Sequence, residues 1–166
     1  GRTAAALVNE LDEGELADQR PFAVAETDDA TTLYEKVTRV QVDQVEEMLP
    51  RMAVHTVPRI PQDTAKGSAW PRRRPEDGVI DWQKPARVLY NWIRGLTHPY
   101  PGAFTFLGGR KLTIWRAGLL NDVGSTDQPA GTVVGVQLCP GGTDGALLVV
   151  CGDGHLLSLR RGQWDD

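Results

Sequence analysis

Of the side chains whose types can do chemistry, a small set stands out by position, and its spacing limits what each could do. Asp12 sits in the turn-rich run Leu11-Asp-Glu-Gly14. Taken by itself, a carboxylate there reads as one that stabilises its own turn. Arg72, Arg73 and Arg74 form an uninterrupted cationic triplet. It suits a substrate phosphate, through charge-assisted hydrogen bonds, and it equally suits a solvated linker. His55, His98 and His155 stand far apart, in a post-helix loop, a turn before Pro99 and a hairpin tip. His98 reads as a turn residue with a structural hydrogen bond rather than a proton carrier. Cys139 and Cys151 lack C-x-x-C spacing, so they predict free thiols of a reducing cytoplasm, with no disulfide scaffold and no metal site. Gly152-Asp-Gly154 reads as a turn and not a phosphate loop, because no helical pattern follows it.

The elements that must position these residues fall into two patterns. Thr3–Val8 reads as a short apolar strand, and a second strand is expected near Arg20–Val24. Thr27-Asp28-Asp29 offers an N-cap with acidic residues in the first turn. Ala30, Leu33, Tyr34, Val37, Val45, Met48 and Leu49 recur at helical spacing. They predict a long helix that stops at about Leu49, before Pro50. Residues 55–78 hold Pro58, Pro61, Pro71 and Pro75 without periodicity and read as a linker or an ordered crossing loop.

Beyond that segment the pattern turns to β. Val79–Trp82 reads as a short strand, and Pro85 opens a helix whose apolar face carries Val88, Leu89, Trp92, Ile93 and Leu96, leaving Arg87 wet. Gly108-Gly-Arg110 predicts a tight hairpin between Ala103–Leu107 and Lys111–Ala117. Further strands are expected at Thr132–Leu138, Ala146–Cys151 and His155–Arg161. Trp82, Trp92 and Trp115 fall on predicted strand and helix faces and read as core. Five short strands with one helix fit a small, partly open barrel of the OB type. The fold class is therefore α/β plus β. The opening unit of two strands and a helix is too small to bury a core of its own, so the chain is expected to be part of a larger protein.

Composition bounds the partners. The longest apolar run, Ala146–Cys151, falls far short of the roughly 18–20 residues of a membrane helix. No signal peptide pattern opens the chain. Residues 1–57 carry 12 acidic and 5 basic side chains, a net −7, while 58–166 carry 10 and 13, a net +3. A net +3 over that length is a weak footprint for nucleic acid. An OB-like domain that binds single strands by stacking and backbone contacts, or one that only docks a partner, remains the alternative function class.

Several blocks, in order, carry a family resemblance. Arg73-Arg-Pro-Glu-Asp-Gly-Val-Ile-Asp-Trp82, Lys84-Pro-Ala86, Asn91-Trp-Ile-Arg94, Thr97-His-Pro-Tyr-Pro-Gly-Ala-Phe104, Lys111-Leu-Thr-Ile-Trp-Arg-Ala117 and Cys151-Gly-Asp-Gly154 resemble the folate-dependent formyltransferases. Gly1-Arg-Thr3, the Asp12 loop, Gln19, Asp29-Ala30, Leu33 and Lys36 fit the end of that family's catalytic domain. The resemblance implies residues 1–54 as the C-terminal part of a Rossmann-like catalytic domain, 55–78 as linker, and 79–166 as an OB-like C-terminal domain. It implies a cytoplasmic enzyme that transfers a formyl group from 10-formyltetrahydrofolate to a primary amine.

In that family an Asn and a His stabilise the oxyanion and manage the proton, while an Asp sets the His. Asp12 is the member of the trio this resemblance locates here. The Asn, the His and the folate-binding half are expected upstream, so this chain by itself is expected to be inactive. Arg72, Arg73 and Arg74 become substrate-binding candidates. Pro99-Tyr-Pro-Gly-Ala-Phe104 is closer to the UDP-4-amino-4-deoxy-L-arabinose formyltransferase type, which favours a nucleotide-linked amino sugar as acceptor. Methionyl-tRNA is the alternative, and oligomeric state is left open.

Overall fold

The computed structural model describes residues 2–5, 14–63, 65, 67–68, 70–120, 123–138 and 145–165. The chain divides into two compact units, Gly1–Asp28 with Thr32–Arg72, and Asp29–Thr31 with Arg73–Asp166.

In the first unit, β1 (Arg2–Ala5) pairs antiparallel with β2 (Leu16–Arg20), in a register of Thr3 with Gln19 and Ala4 with Asp18. The second strand thus lies ahead of the Arg20–Val24 stretch expected from sequence and ends before Pro21. Proline has no N–H to give to a ladder. Leu16 also bridges Ile60 through two backbone hydrogen bonds, of 2.8 and 3.0 Å.

Helix α1 runs Ala30–Ala53. Its packed face carries Ala30, Val37, Gln44 and Met48, a helical repeat. Before it, the buried Asp28 carboxylate accepts the Ala25 N–H, the Thr32 hydroxyl and the Lys36 ammonium, at 2.6, 3.1 and 2.5 Å. The helix does not stop at Pro50 but contains it. Lacking an N–H, Pro50 forgoes the one backbone bond it would give to the carbonyl four residues earlier. The true stop is a Schellman closure: Thr56 N–H donates to the Arg51 carbonyl (2.9 Å) and His55 N–H to that of Met52 (3.2 Å). His55 takes the left-handed conformation, φ 54°, where glycine is usual.

The second unit begins with a 3-10 turn, Pro75–Gly78, continues in α2 (Ala86–Leu96) and then becomes β. Strands β3 (Ala103–Leu107), β4 (Arg110–Leu119), β5 (Val133–Leu138), β6 (Gly145–Val150) and β7 (Leu156–Trp164) form an antiparallel sheet in the order β3-β4-β7-β6-β5. The pairings among described residues give a sheet with β3 and β5 at its edges; a closed barrel is not among them. The β3–β4 hairpin turns on Gly108 and Gly109, with φ of 59° and 79°. Two left-handed residues are what a type I′ turn needs.

Val79–Trp82 is not a strand. Val79 makes one parallel bridge to Phe104. The chain then turns at once, because the Asp81 carboxylate takes the Gln83 N–H and its carbonyl takes the Lys84 N–H. Helix α2 packs its Leu89, Ile93 and Leu96 onto Ile114, Leu157 and Leu159 of the sheet. Arg87 is exposed, as expected, and so is Val88. Trp82, Trp92 and Trp115 are half-buried rather than core. Trp82 and Trp92 lie at the margin of the core cluster, where a large ring can cover apolar surface and still reach solvent, while Trp115 stacks with His98.

Candidate functional site

The N-terminus of α2 fixes everything built on that helix. Pro85 occupies the N-cap position and supplies no side-chain cap. The cap comes instead from Asp153, whose carboxylate oxygens both lie 3.2 Å from the Ala86 nitrogen. Gly152 N–H donates to the Lys84 carbonyl at 3.0 Å. The Gly152–Gly154 turn is thus a clamp on the helix start. Its carboxylate also accepts the His155 N–H, at 3.2 Å.

Clamped in this way, α2 turns Val88, Asn91 and Trp92 toward a groove of about 700 Å³, closed by Arg73, Arg74 and Tyr100. That volume lies within the usual range for small-molecule sites. The Arg74 backbone N–H donates to the Asp77 carboxylate at 2.7 Å, which ties the segment carrying the arginines to the 3-10 turn. The Arg73 guanidinium lies over the Trp92 ring, 4.8 Å from its centroid. Among the described residues, neither Arg73 nor Arg74 has a carboxylate partner. The groove therefore offers two planar cations above a largely apolar wall, an arrangement that suits an anionic ligand with a flat or apolar body.

The structure thus brings together two of the three arginines singled out from sequence. Arg72 is exposed and belongs to the first unit. Asp12 and Cys139 lie outside the described residues. The His98 imidazole stacks on Trp115 at 4.1 Å and 12°, and the Trp115 indole N–H donates to Gln163 at 3.3 Å. Cys151 is buried and free. Burial, with the Asp153 charge adding to it, pushes its thiol up to about 12, which leaves an inert side chain. Among the described residues, no group of His, Cys, Asp and Glu could hold a metal ion. Sequence reasoning missed Trp92 as a groove residue and Asp153 as a cap. The first was hidden by its place on an apolar helix face, the second by 67 residues of separation.

Comparison with known proteins gives two kinds of likeness. The family described as "Formyl transferase, C-terminal domain" matches residues 72–166. Among solved structures, HypX from Aquifex aeolicus in complex with tetrahydrofolic acid is similar at a TM-score of 0.71 and 18% identity, over 99% of this chain and 27% of that one. An N-formyltransferase from Helicobacter canadensis, in complex with folinic acid and dTDP-3-aminofucose, is similar at 0.66 and 16%, over 95% and 54%. Methionyl-tRNA formyltransferase from Clostridium thermocellum follows at 0.58 and 22%, over 73% and 51%. At these identities the likeness is one of fold. The chain spans between about a quarter and a half of the length of these solved proteins.

Proposed function

Because this chain belongs to the formyl transferase C-terminal domain family, we propose that it forms the C-terminal part of an enzyme transferring a formyl group from 10-formyltetrahydrofolate to a primary amine on a nucleotide-linked amino sugar. The observation that carries the acceptor class is the groove beside α2, where Arg73 and Arg74 stand without carboxylate partners among the described residues. A nucleotide sugar brings phosphates for the two guanidiniums and flat, partly apolar rings for the wall. Arg72 extends the same cationic run. No described residue is assigned to the folate, whose binding this reading gives to the remainder of the enzyme.

Residues 1–54 are read as the end of the catalytic domain, 55–78 as linker and 79–166 as the C-terminal domain, with Asp12 the carboxylate that sets a catalytic His. A partly open OB-type barrel is supported by a small cavity of about 40 Å³, lined from both sheet edges by Thr105, Phe106 and Val133, together with Trp82. A cytoplasmic enzyme is supported by the free, buried Cys151 thiol. Among the described residues no helix is long and apolar enough to cross a membrane.

The test is formyl transfer by the full-length protein to a panel of UDP- and dTDP-linked amino sugars, methionyl-tRNA and amino acids on carrier proteins. The expected result is formylation of a nucleotide sugar alone. Formylation of methionyl-tRNA, with affinity falling steeply as salt rises, would replace this reading with the tRNA one.

A further inference from the structure

Four tryptophans lie in the second unit, and they are not equivalent. The Trp82 indole N–H donates to the Thr105 hydroxyl at 3.0 Å, and the Trp115 indole to Gln163 at 3.3 Å. The Trp92 indole nitrogen is buried and has no acceptor among the described residues. An indole N–H left unpaired in the interior is unfavourable, and a phenyl or aliphatic side chain would avoid it. What Trp92 contributes is its face. That face carries Arg73 at 4.8 Å, and Trp92 itself is packed against the core between the buried Leu89 and Ile93.

We propose that Trp92 is a positioning residue, whose indole holds the Arg73 guanidinium flat so that Arg73 and Arg74 present their N–H edges together to one phosphate or pyrophosphate group in the groove. A guanidinium stacked by its face keeps all five N–H donors free in its plane. Stacking also removes the rotamer freedom that a long exposed side chain would otherwise lose on binding. Arg74 leaves a backbone tied to Asp77, so the two cations start from a fixed turn. The proposal rests on the reading of this groove as the acceptor site, and the test separates the two.

Binding of inorganic pyrophosphate to the full-length protein is measured by calorimetry for wild type, Trp92→Met, Trp92→Phe, Arg73→Ala and the Trp92→Met/Arg73→Ala double variant. Methionine keeps bulk without an aromatic face, whereas phenylalanine keeps a face without the indole N–H. Trp92→Met should weaken binding by about three- to fivefold, the scale of an exposed cation–π contact. Trp92→Phe should stay within about twofold, since it retains the π-face. In the Arg73→Ala background, Trp92→Met should change nothing further, because the effect travels through Arg73. In formyl transfer, Trp92→Met should raise the acceptor KM by the same factor with kcat held.

Equal losses for Met and Phe, an undiminished Trp92→Met effect in the Arg73→Ala background, or a wild type that binds no pyrophosphate would overturn the proposal. If Trp92→Met fails to fold, Arg73→Lys, which disturbs no buried group, must weaken pyrophosphate binding by at least threefold through loss of the planar fork, or the proposal falls. Coupled pyrophosphate binding without formylation of any nucleotide sugar would keep the role of Trp92 and remove the acceptor reading. Formylation of a nucleotide sugar without coupling would do the reverse.

Discussion

Gly152→Ala should be among the more damaging single-methyl changes in the second unit, although the residue is exposed. A Cβ at this position would overlap the carbonyl oxygen and carbon of Gln83 and lie 3.0 Å from its Cα. All three are backbone atoms, so no side chain can swing away. To relieve the overlap, the 152–154 turn must separate from the segment ahead of α2. That breaks the 3.0 Å bond from Gly152 N–H to the Lys84 carbonyl and the Asp153 cap on Ala86. A backbone hydrogen bond and an N-cap each contribute about 1 kcal/mol, so the loss should reach about 2 kcal/mol before any residual strain. For a unit of this size that lowers the melting temperature by about 8–16 °C.

Tryptophan fluorescence is a suitable probe of the melt, since four of the five tryptophans lie at or beyond Trp82. Gly135→Ala is the control: nothing lies within 4 Å of its added Cβ, and it should change stability by less than about 0.5 kcal/mol. The groove should suffer together with stability, because α2 carries Asn91 and Trp92 from the same clamp. A Gly152→Ala protein melting within about 2 °C of wild type would refute both the close approach and the clamp.

Asp153→Ala, which removes the cap on Ala86 together with the acceptor of the His155 N–H, should cost at least about 1 kcal/mol in chemical denaturation; an unchanged midpoint would contradict the cap. In a Cys139→Ser background, the Cys151 thiol, pushed up to about 12 by burial and by Asp153, should react with a disulfide reagent at pH 8 only on unfolding, and prompt labelling of the native protein would contradict its burial. The Asp28 carboxyl is held below its ordinary value first by the hydrogen bond from Lys36, then by the Ala25 N–H, against the opposing effect of burial. Its stabilisation of the first unit is therefore full above about pH 4 and is lost as pH falls through the lower folded value; Lys36→Met should flatten that acid limb in pH-dependent denaturation, and an unaltered slope would count against the pairing. On the proposed reading of Asp12 as the carboxylate that sets a His, Asp12→Asn in the full-length protein should lower the kcat of formyl transfer by at least about two decades, given the roughly 10⁴ that loss of an orienting Asp costs a Ser-His-Asp site. The acceptor KM should hold, and near-normal turnover would return Asp12 to a turn role.

Much of the second unit was legible in the order of its residues. Pro85 and the spacing of Leu89, Ile93 and Leu96 announced α2, and Gly108-Gly109 announced the hairpin. In each case the information lies within a few residues, where helical period and turn chemistry act. The family blocks were legible for the same reason. What escaped depended on partners remote in the chain. Nothing local says that Asp153 caps a helix 67 residues away, that β7 lies between β4 and β6, or that Arg73 rests on Trp92. Pro50 read as a stop because interior proline is costly, yet the packing of Val37 and Met48 carries α1 through it to a left-handed His55. Sequence by itself determined most of the segments that coil, extend and turn, but not the turn at Val79–Trp82, the place of β2 or the end of α1. Only the tertiary structure decided which of their ends meet, because a cap, a stack or a groove wall forms from groups that sheet order and core packing bring within hydrogen-bonding or van der Waals range.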